Sequence, residues 1–224
     1  MSLRWDSPDT PVRAGVILQH GFARSPRTLA GIAGLLAAHG CLTVRPAIPS
    51  FTARRSLHDP GWLDAFGNRV GAVMRERAPG VRVIGIGHSA GAAVISGWST
   101  FLDGVVLVDP VDRHQRIERL GGDVQRPPVR VSTADPSACN RHGRAVDMLA
   151  ALGCVELGRT WVPIAGASHA DPERVPISLQ PADVPAADLV ARLACGRGGS
   201  PTVVCRWGSV ILEAVAELIE DESI

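Results

Sequence analysis

The sequence contains no lysine and no tyrosine, and aromatic residues make up only 4% of it. The missing tyrosine removes one general acid and one oxyanion donor from the chemistry available. Neither sign of charge is in excess: 23 basic residues face 22 acidic ones, for a formal net charge of +1. All of the basic residues are arginine, and they are scattered. A polyanion binder carries a marked positive excess and a basic stripe, so nucleic acid is not an expected partner. Long hydrophobic runs are also missing. The longest uncharged stretch, Val83 to Leu102, is rich in Gly and Ser and holds His88. It reads as a buried strand, turn and helix, and no membrane span is expected. The first six residues, Met1 to Asp6, have no apolar signal core. Five cysteines (Cys41, Cys139, Cys154, Cys195 and Cys205), odd in number and widely spaced, do not form a disulfide framework or a zinc pattern. Cys195 and Cys205 flank a Gly-rich stretch and form the pair that an oxidising compartment would close. Free thiols in a cytoplasmic protein are the plainer expectation.

What is present is enough for a full core. The 224 residues are 46% hydrophobic and 20% charged, which excludes a disordered or fibrous chain and fits one domain over residues 1–224. Short continuous apolar runs alternate with helical stretches. Val12–Leu18, Cys41–Arg45, Val81–Ile86, Val105–Val108, Val129–Ser132 and Thr160–Ile164 read as strands buried on both faces. Residues 26–38, Trp62–Ala78, Ala90–Trp98, Ala145–Leu152 and Trp207–Ile219 read as helices, with a further short one near Ala186–Ala194. This alternation predicts an α/β fold: a mostly parallel sheet of about six strands, covered by helices on both faces. No internal repeat and no linker between two cores is visible.

Gly87-His88-Ser89-Ala90-Gly91 matches G-x-S-x-G. Its context gives it weight, because an apolar strand precedes it and a small-residue helix follows. A strand-to-helix turn of this kind strains the central residue and pushes its Oγ above the sheet. Glycines on either side relieve the crowding. Ser89 is therefore the expected nucleophile. His20-Gly21-Phe22-Ala23 ends the strand Val12–Leu18 and is the matching oxyanion turn, so the backbone N–H groups of Phe22 and Ala90 are the expected oxyanion donors. His20 is read as a brace for that turn.

His169, in Gly166-Ala167-Ser168-His169 directly after the last predicted strand, is the expected general base. Two carboxylates compete for the acid. Asp135 follows the strand Val129–Ser132, and Asp109 follows the strand Val105–Val108. Both keep the chain order Ser, Asp, His; Asp135 is favoured and Asp109 stays open.

These residues resemble the α/β-hydrolase superfamily over nearly the whole chain. Two groups are most similar. The dienelactone-hydrolase and cutinase-like esterases, polyester hydrolases included, share the acid spacing of Asp135, the Gly-x-Ser-His segment at His169 and an oxyanion-turn aromatic like Phe22. The chlorophyllase-like group resembles Val108-Asp109-Pro110-Val111-Asp112 and Cys139-Asn140-Arg141-His142-Gly143, and that resemblance implies Asp109 as the acid. The chain departs from both groups. It starts almost at the strand before the oxyanion turn, so the antiparallel edge strands common in the superfamily look absent. Ser89 stands where dienelactone hydrolases proper have Cys.

Only about 20 residues join Asp109 to Val129, too few for a helical cap, so an open acyl site is expected. Loop 46–60 and segment 170–201 are its expected walls. Phe22 and Phe51 are candidate lining; Trp62, Trp98 and Trp161 are read as core. The reading is a serine carboxylesterase with a small-molecule ester substrate, working without a cofactor or metal. The alternatives are a thioesterase with the same residues, a non-catalytic binding protein on the same fold, and a metal-dependent hydrolase using His169, Asp171 and Glu173.

Overall fold

The computed structural model describes residues 2–22, 24–48, 59–113, 115–121, 126–175 and 199–221. Seven strands form one sheet: β1 (Ser2–Asp6), β2 (Ala14–Gln19), β3 (Cys41–Ala47), β4 (Arg82–His88), β5 (Gly104–Val108), β6 (Val129–Thr133) and β7 (Trp161–Pro163). Their spatial order is β1-β3-β2-β4-β5-β6-β7. Every pairing is parallel except β1 with β3. The described helices are α1 (Ala30–Ala38), α2 (Pro60–Arg77), α3 (Ala90–Gly97), α4 (Arg144–Ala151) and α5 (Pro201–Glu220).

The apolar strands split their side chains between two cores, as a period of two requires. Ile17, Val83, Val105 and Leu107 pack with Leu63, Phe66, Val70 and Met74 of α2, Val94 and Ile95 of α3, and Leu149 of α4. Their neighbours Val16, Leu18, Ile84, Ile86, Val106 and Val108 pack with Ile32 and Leu36 of α1 and with Trp207, Ile211, Val215 and Leu218 of α5. A strand with helices on both sides has no solvent face, which is why β2 reads as an unbroken apolar run. Trp98 is fully buried at the end of α3, and its indole N–H donates to Leu63 O at 3.0 Å. Trp62 stacks on Phe66 at 5.2 Å between ring centroids. Trp161 is half-buried and donates to Thr133 Oγ1 at 3.0 Å.

The edge of the sheet corrects one expectation. An antiparallel edge strand is present: β1 pairs with β3 from Ser2 opposite Ala47 to Asp6 opposite Thr43. Arg45 fixes it, because its Nε and Nη2 donate to the two oxygens of Asp6 at 2.9 and 3.0 Å. Such a bidentate pair adds geometric specificity as well as energy. Trp5 also lies under the Arg77 guanidinium, 4.2 Å from ring centroid to Cζ.

The connection from β5 to β6 holds one described 3-10 turn, Ile117–Gly121, and no large cap covers the sheet's C-terminal edge among the described residues. Phe51 and the predicted helix near residues 186–194 lie outside the described residues, as do most of loop 46–60 and of segment 170–201. Cys205 carries a free, exposed thiol, so the Cys195–Cys205 bridge is not formed; Cys195 itself lies outside the described residues. Cys41 and Cys154 are free thiols too, but Cys139 is disulfide-bonded, which corrects the expectation of free thiols throughout.

Candidate active site

Ser89 joins β4 to α3 with φ 56° and ψ −125°, a conformation that costs an L residue about 1–3 kcal/mol. Three glycines let the backbone pack around it. A Cβ on Gly91 would stand 2.3 Å from Gln19 O, and one on Gly87 would stand 2.5 Å from Gly91 O. A Cβ on Gly21 would stand 2.8 Å from Ser89 Cβ. The turn carrying Phe22 is thus pressed directly against the serine. Hydrogen bonds from Ser89 N to Val108 O at 3.0 Å and from Val111 N to Ser89 O at 3.1 Å tie the elbow to the end of β5.

His169 lies in the segment after β7. Its Nε2 is 2.8 Å from Ser89 Oγ, and its Nδ1 is 2.5 Å from Asp109 Oδ2. Asp109, not Asp135, is the carboxylate that the structure places on His169. The two aspartates follow adjacent strands, so sequence spacing alone does not separate them. Backbone geometry does. Asp109 directly follows Val108 in a left-handed conformation, φ 43°, and is 1% exposed. Its Oδ1 accepts from Ala134 N at 3.0 Å and from Asn140 Nδ2 at 3.2 Å. Asp135 lies further along its own loop. Its Oδ2 accepts from Gly166 N at 3.0 Å, and its N–H donates to Ala167 O at 3.2 Å. It therefore braces the turn that leads into His169.

Asn140 is a site residue the sequence reading missed. It is 1% exposed, and its Nδ2 also donates to Asp135 O at 3.0 Å, linking the loops after β5 and β6. Its segment stands out in the sequence only through the chlorophyllase-like resemblance, which gives the amide no role. Phe22 is 58% exposed beside Ser89, consistent with a surface aromatic at an open site. Ala90 is the first residue of α3, where a backbone N–H has no partner within the helix.

The residues weighed for a metal do not converge. His169 faces Ser89 and Asp109. Asp171 Oδ2 accepts from Ser168 N at 2.8 Å and from Gly199 N at 2.9 Å. Glu173 is paired with Arg24 at 2.9 Å. No group of His, Cys, Asp or Glu able to hold a metal ion is found among the described residues. No helix among them is long and apolar enough to cross a membrane.

A second layer of titratable groups lies behind the site. His20 Nδ1 donates to Gly21 O at 2.9 Å, and burial lowers its pKa despite that bond and despite nearby Glu173. Burial would raise the Glu173 carboxyl, but the His88 and Arg24 groups beside it outweigh burial and hold it below the ordinary range. Both groups bind a proton less readily folded than unfolded, so stability must fall on acidification. The loss begins as pH drops below the ordinary histidine value of 6.5, when His20 is protonated only in the unfolded chain. A second loss begins below the ordinary glutamate value of 4.5, as the contribution of ionised Glu173 is withdrawn. Thermal unfolding midpoints measured from about pH 8 down to about pH 4 check this, and a midpoint that rises on acidification contradicts it.

Comparison with protein-family models and with curated proteins finds no match for this chain. Solved structures do match it. Est1E from Butyrivibrio proteoclasticus superposes with a TM-score of 0.61 at 14% identity, over 96% of this chain and 94% of that one. An α/β serine hydrolase without a lid from Xanthomonas campestris gives 0.58 at 21% identity, over 92% and 88%. A ferulic acid esterase from Streptomyces cinnamoneus gives 0.56 at 18% identity, over 95% of this chain and 67% of that one. At these identities the likeness speaks for architecture alone: the chain has the α/β-hydrolase fold.

Proposed function

We propose that the protein is a serine hydrolase that cleaves carboxylic esters through an acyl-enzyme, with Ser89 as nucleophile, His169 as general base and Asp109 as the acid. The observation that carries this reading is the unbroken chain of contacts from Ser89 Oγ to His169 Nε2 and from His169 Nδ1 to Asp109 Oδ2. The fold likeness to a structure named as a serine hydrolase and to one named as an esterase supports it.

The chemistry follows from the contacts. Ser89 Oγ attacks the ester carbonyl while His169 Nε2 takes its proton. Asp109 accepts from His169 Nδ1–H, which fixes the tautomer and stabilises the imidazolium that forms. The N–H groups of Phe22 and Ala90 receive the developing oxyanion; each such donor lowers the barrier by about 3 kcal/mol. The tetrahedral intermediate collapses as His169 returns the proton to the leaving alkoxide. Water then attacks the acyl-enzyme with His169 as base again, and Ser89 is regenerated with release of the acid. No large cap stands over the described part of the sheet edge, which favours accessible esters with short acyl groups.

Hydrolysis of p-nitrophenyl acetate, butyrate and octanoate tests the reading. Turnover of at least the acetate is expected, and the chain-length profile sizes the acyl site. No turnover of any of the three contradicts an esterase.

A further inference from the structure

Three residues far apart in sequence meet behind His169 with no part in the proton path above. Arg24 follows the oxyanion turn, His88 precedes the nucleophile, and Glu173 follows the base. All three side chains are largely buried, at 18%, 3% and 12% exposure. Arg24 Nε donates to Glu173 Oε1 at 2.9 Å. His88 Nδ1 lies 3.5 Å from that same oxygen. The other end of the His88 ring reaches the base loop, where Nε2 is 2.9 Å from His169 O. A backbone carbonyl only accepts, so His88 Nε2 carries a proton and donates it, and the Nδ1 end meets the Glu173 carboxylate as an ion pair when it carries a proton as well. The rings of His88 and His169 lie 5.1 Å apart, centroid to centroid.

One carboxylate thus touches all three parts of the site. Through His88 it sets the carbonyl of the residue whose imidazole faces Ser89. Through Arg24 it holds the strand-end turn that carries Phe22. It belongs, itself, to the short helical turn Asp171–Arg174 that follows His169. A buried ion pair adds little to stability over an apolar packing of equal size, because desolvation offsets its attraction. What it supplies is a fixed geometry, since misplacing either partner leaves a charge buried and unpaired. A proton transfer between Nε2 and Oγ depends steeply on such geometry.

We propose that Glu173 is a positioning residue for the reaction: acting through His88 and Arg24, it locks the general base and the oxyanion turn in register with Ser89. This rests on the serine-hydrolase reading above. It predicts a defect in turnover with little effect on substrate affinity, because Glu173 touches neither acyl nor alcohol group.

The test compares Glu173→Ala, Glu173→Gln and His88→Gln with the wild type on p-nitrophenyl acetate. Turnover is counted per serine that reacts with a fluorophosphonate, so that unfolded protein does not enter. Glu173→Ala is expected to lower kcat up to about a hundredfold, with KM changed by no more than about twofold. Glu173→Gln keeps the shape and loses the charge, so a smaller loss of about fivefold is expected, and it serves if the alanine variant fails to fold. His88→Gln loses the ring that spans Glu173 and His169 O and is expected to lower kcat about fivefold, as Glu173→Gln does; a wild-type kcat there overturns the route through His88. The rate of fluorophosphonate reaction should fall in step with kcat. Glu173 variants with wild-type kcat per reactive serine, or with the whole defect in KM, overturn the positioning role alone. A wild-type protein that reacts with neither reagent overturns the serine-hydrolase reading beneath it.

Discussion

Asp109→Asn is expected to lower kcat by about ten-thousandfold, while Asp135→Asn changes it by no more than about threefold. The asymmetry comes from what each carboxylate contacts. Asp109 Oδ2 accepts from His169 Nδ1. An amide there can turn its NH2 to the ring and force Nδ1 to accept. The proton then moves to Nε2, where it blocks uptake of the Ser89 proton, although the geometry is otherwise intact. Among the described residues the Asp135 carboxylate accepts from the backbone N–H of Gly166, and the amide oxygen of asparagine accepts equally well. The replacement is close to neutral for the chemistry. Steady-state kinetics of the two single variants on p-nitrophenyl acetate measures both. The reverse ranking means that His169 takes its orientation from Asp135 and that the acid assignment is wrong.

Ser89→Ala is expected to lower kcat about a millionfold, the size of loss typical when a triad serine is removed. The fold should survive. Alanine keeps the Cβ of residue 89, beside which Gly21 packs, so the elbow strain at φ 56° is unchanged. The variant should therefore unfold within a few degrees of the wild type, which separates lost chemistry from lost structure. Residual rate above the uncatalysed reaction reports what the Phe22 and Ala90 donors contribute without the nucleophile.

The sheet is legible in the sequence because most strands lie between two layers of helices. Val16-Ile17-Leu18 sends neighbouring side chains into opposite cores, so the run shows no polar interruption. β1 escapes notice for the opposite reason. It is an edge strand with half-exposed residues, held by an Asp6–Arg45 contact 39 residues apart. The elbow is legible because its crowding is local: Gly87, Ser89 and Gly91 are dictated by neighbours within a few residues and by one adjacent strand.

The proposed acid is not legible from spacing, because Val108 and Ser132 pair directly and both strand ends open on the same histidine. What places Asp109 on that histidine is its own left-handed backbone and an amide, Asn140, that arrives from 31 residues downstream. Glu173 and Arg24 are separated by 149 residues, and no local pattern announces their contact.

The most direct test of the account is the mass of the protein after treatment with a fluorophosphonate, followed by peptide mapping. Only a serine whose proton can be withdrawn by an oriented histidine reacts rapidly with this reagent. The account predicts one adduct per chain, located on Ser89, and absent from Ser89→Ala. A chain that stays unmodified, or that carries its adduct on another residue, contradicts it.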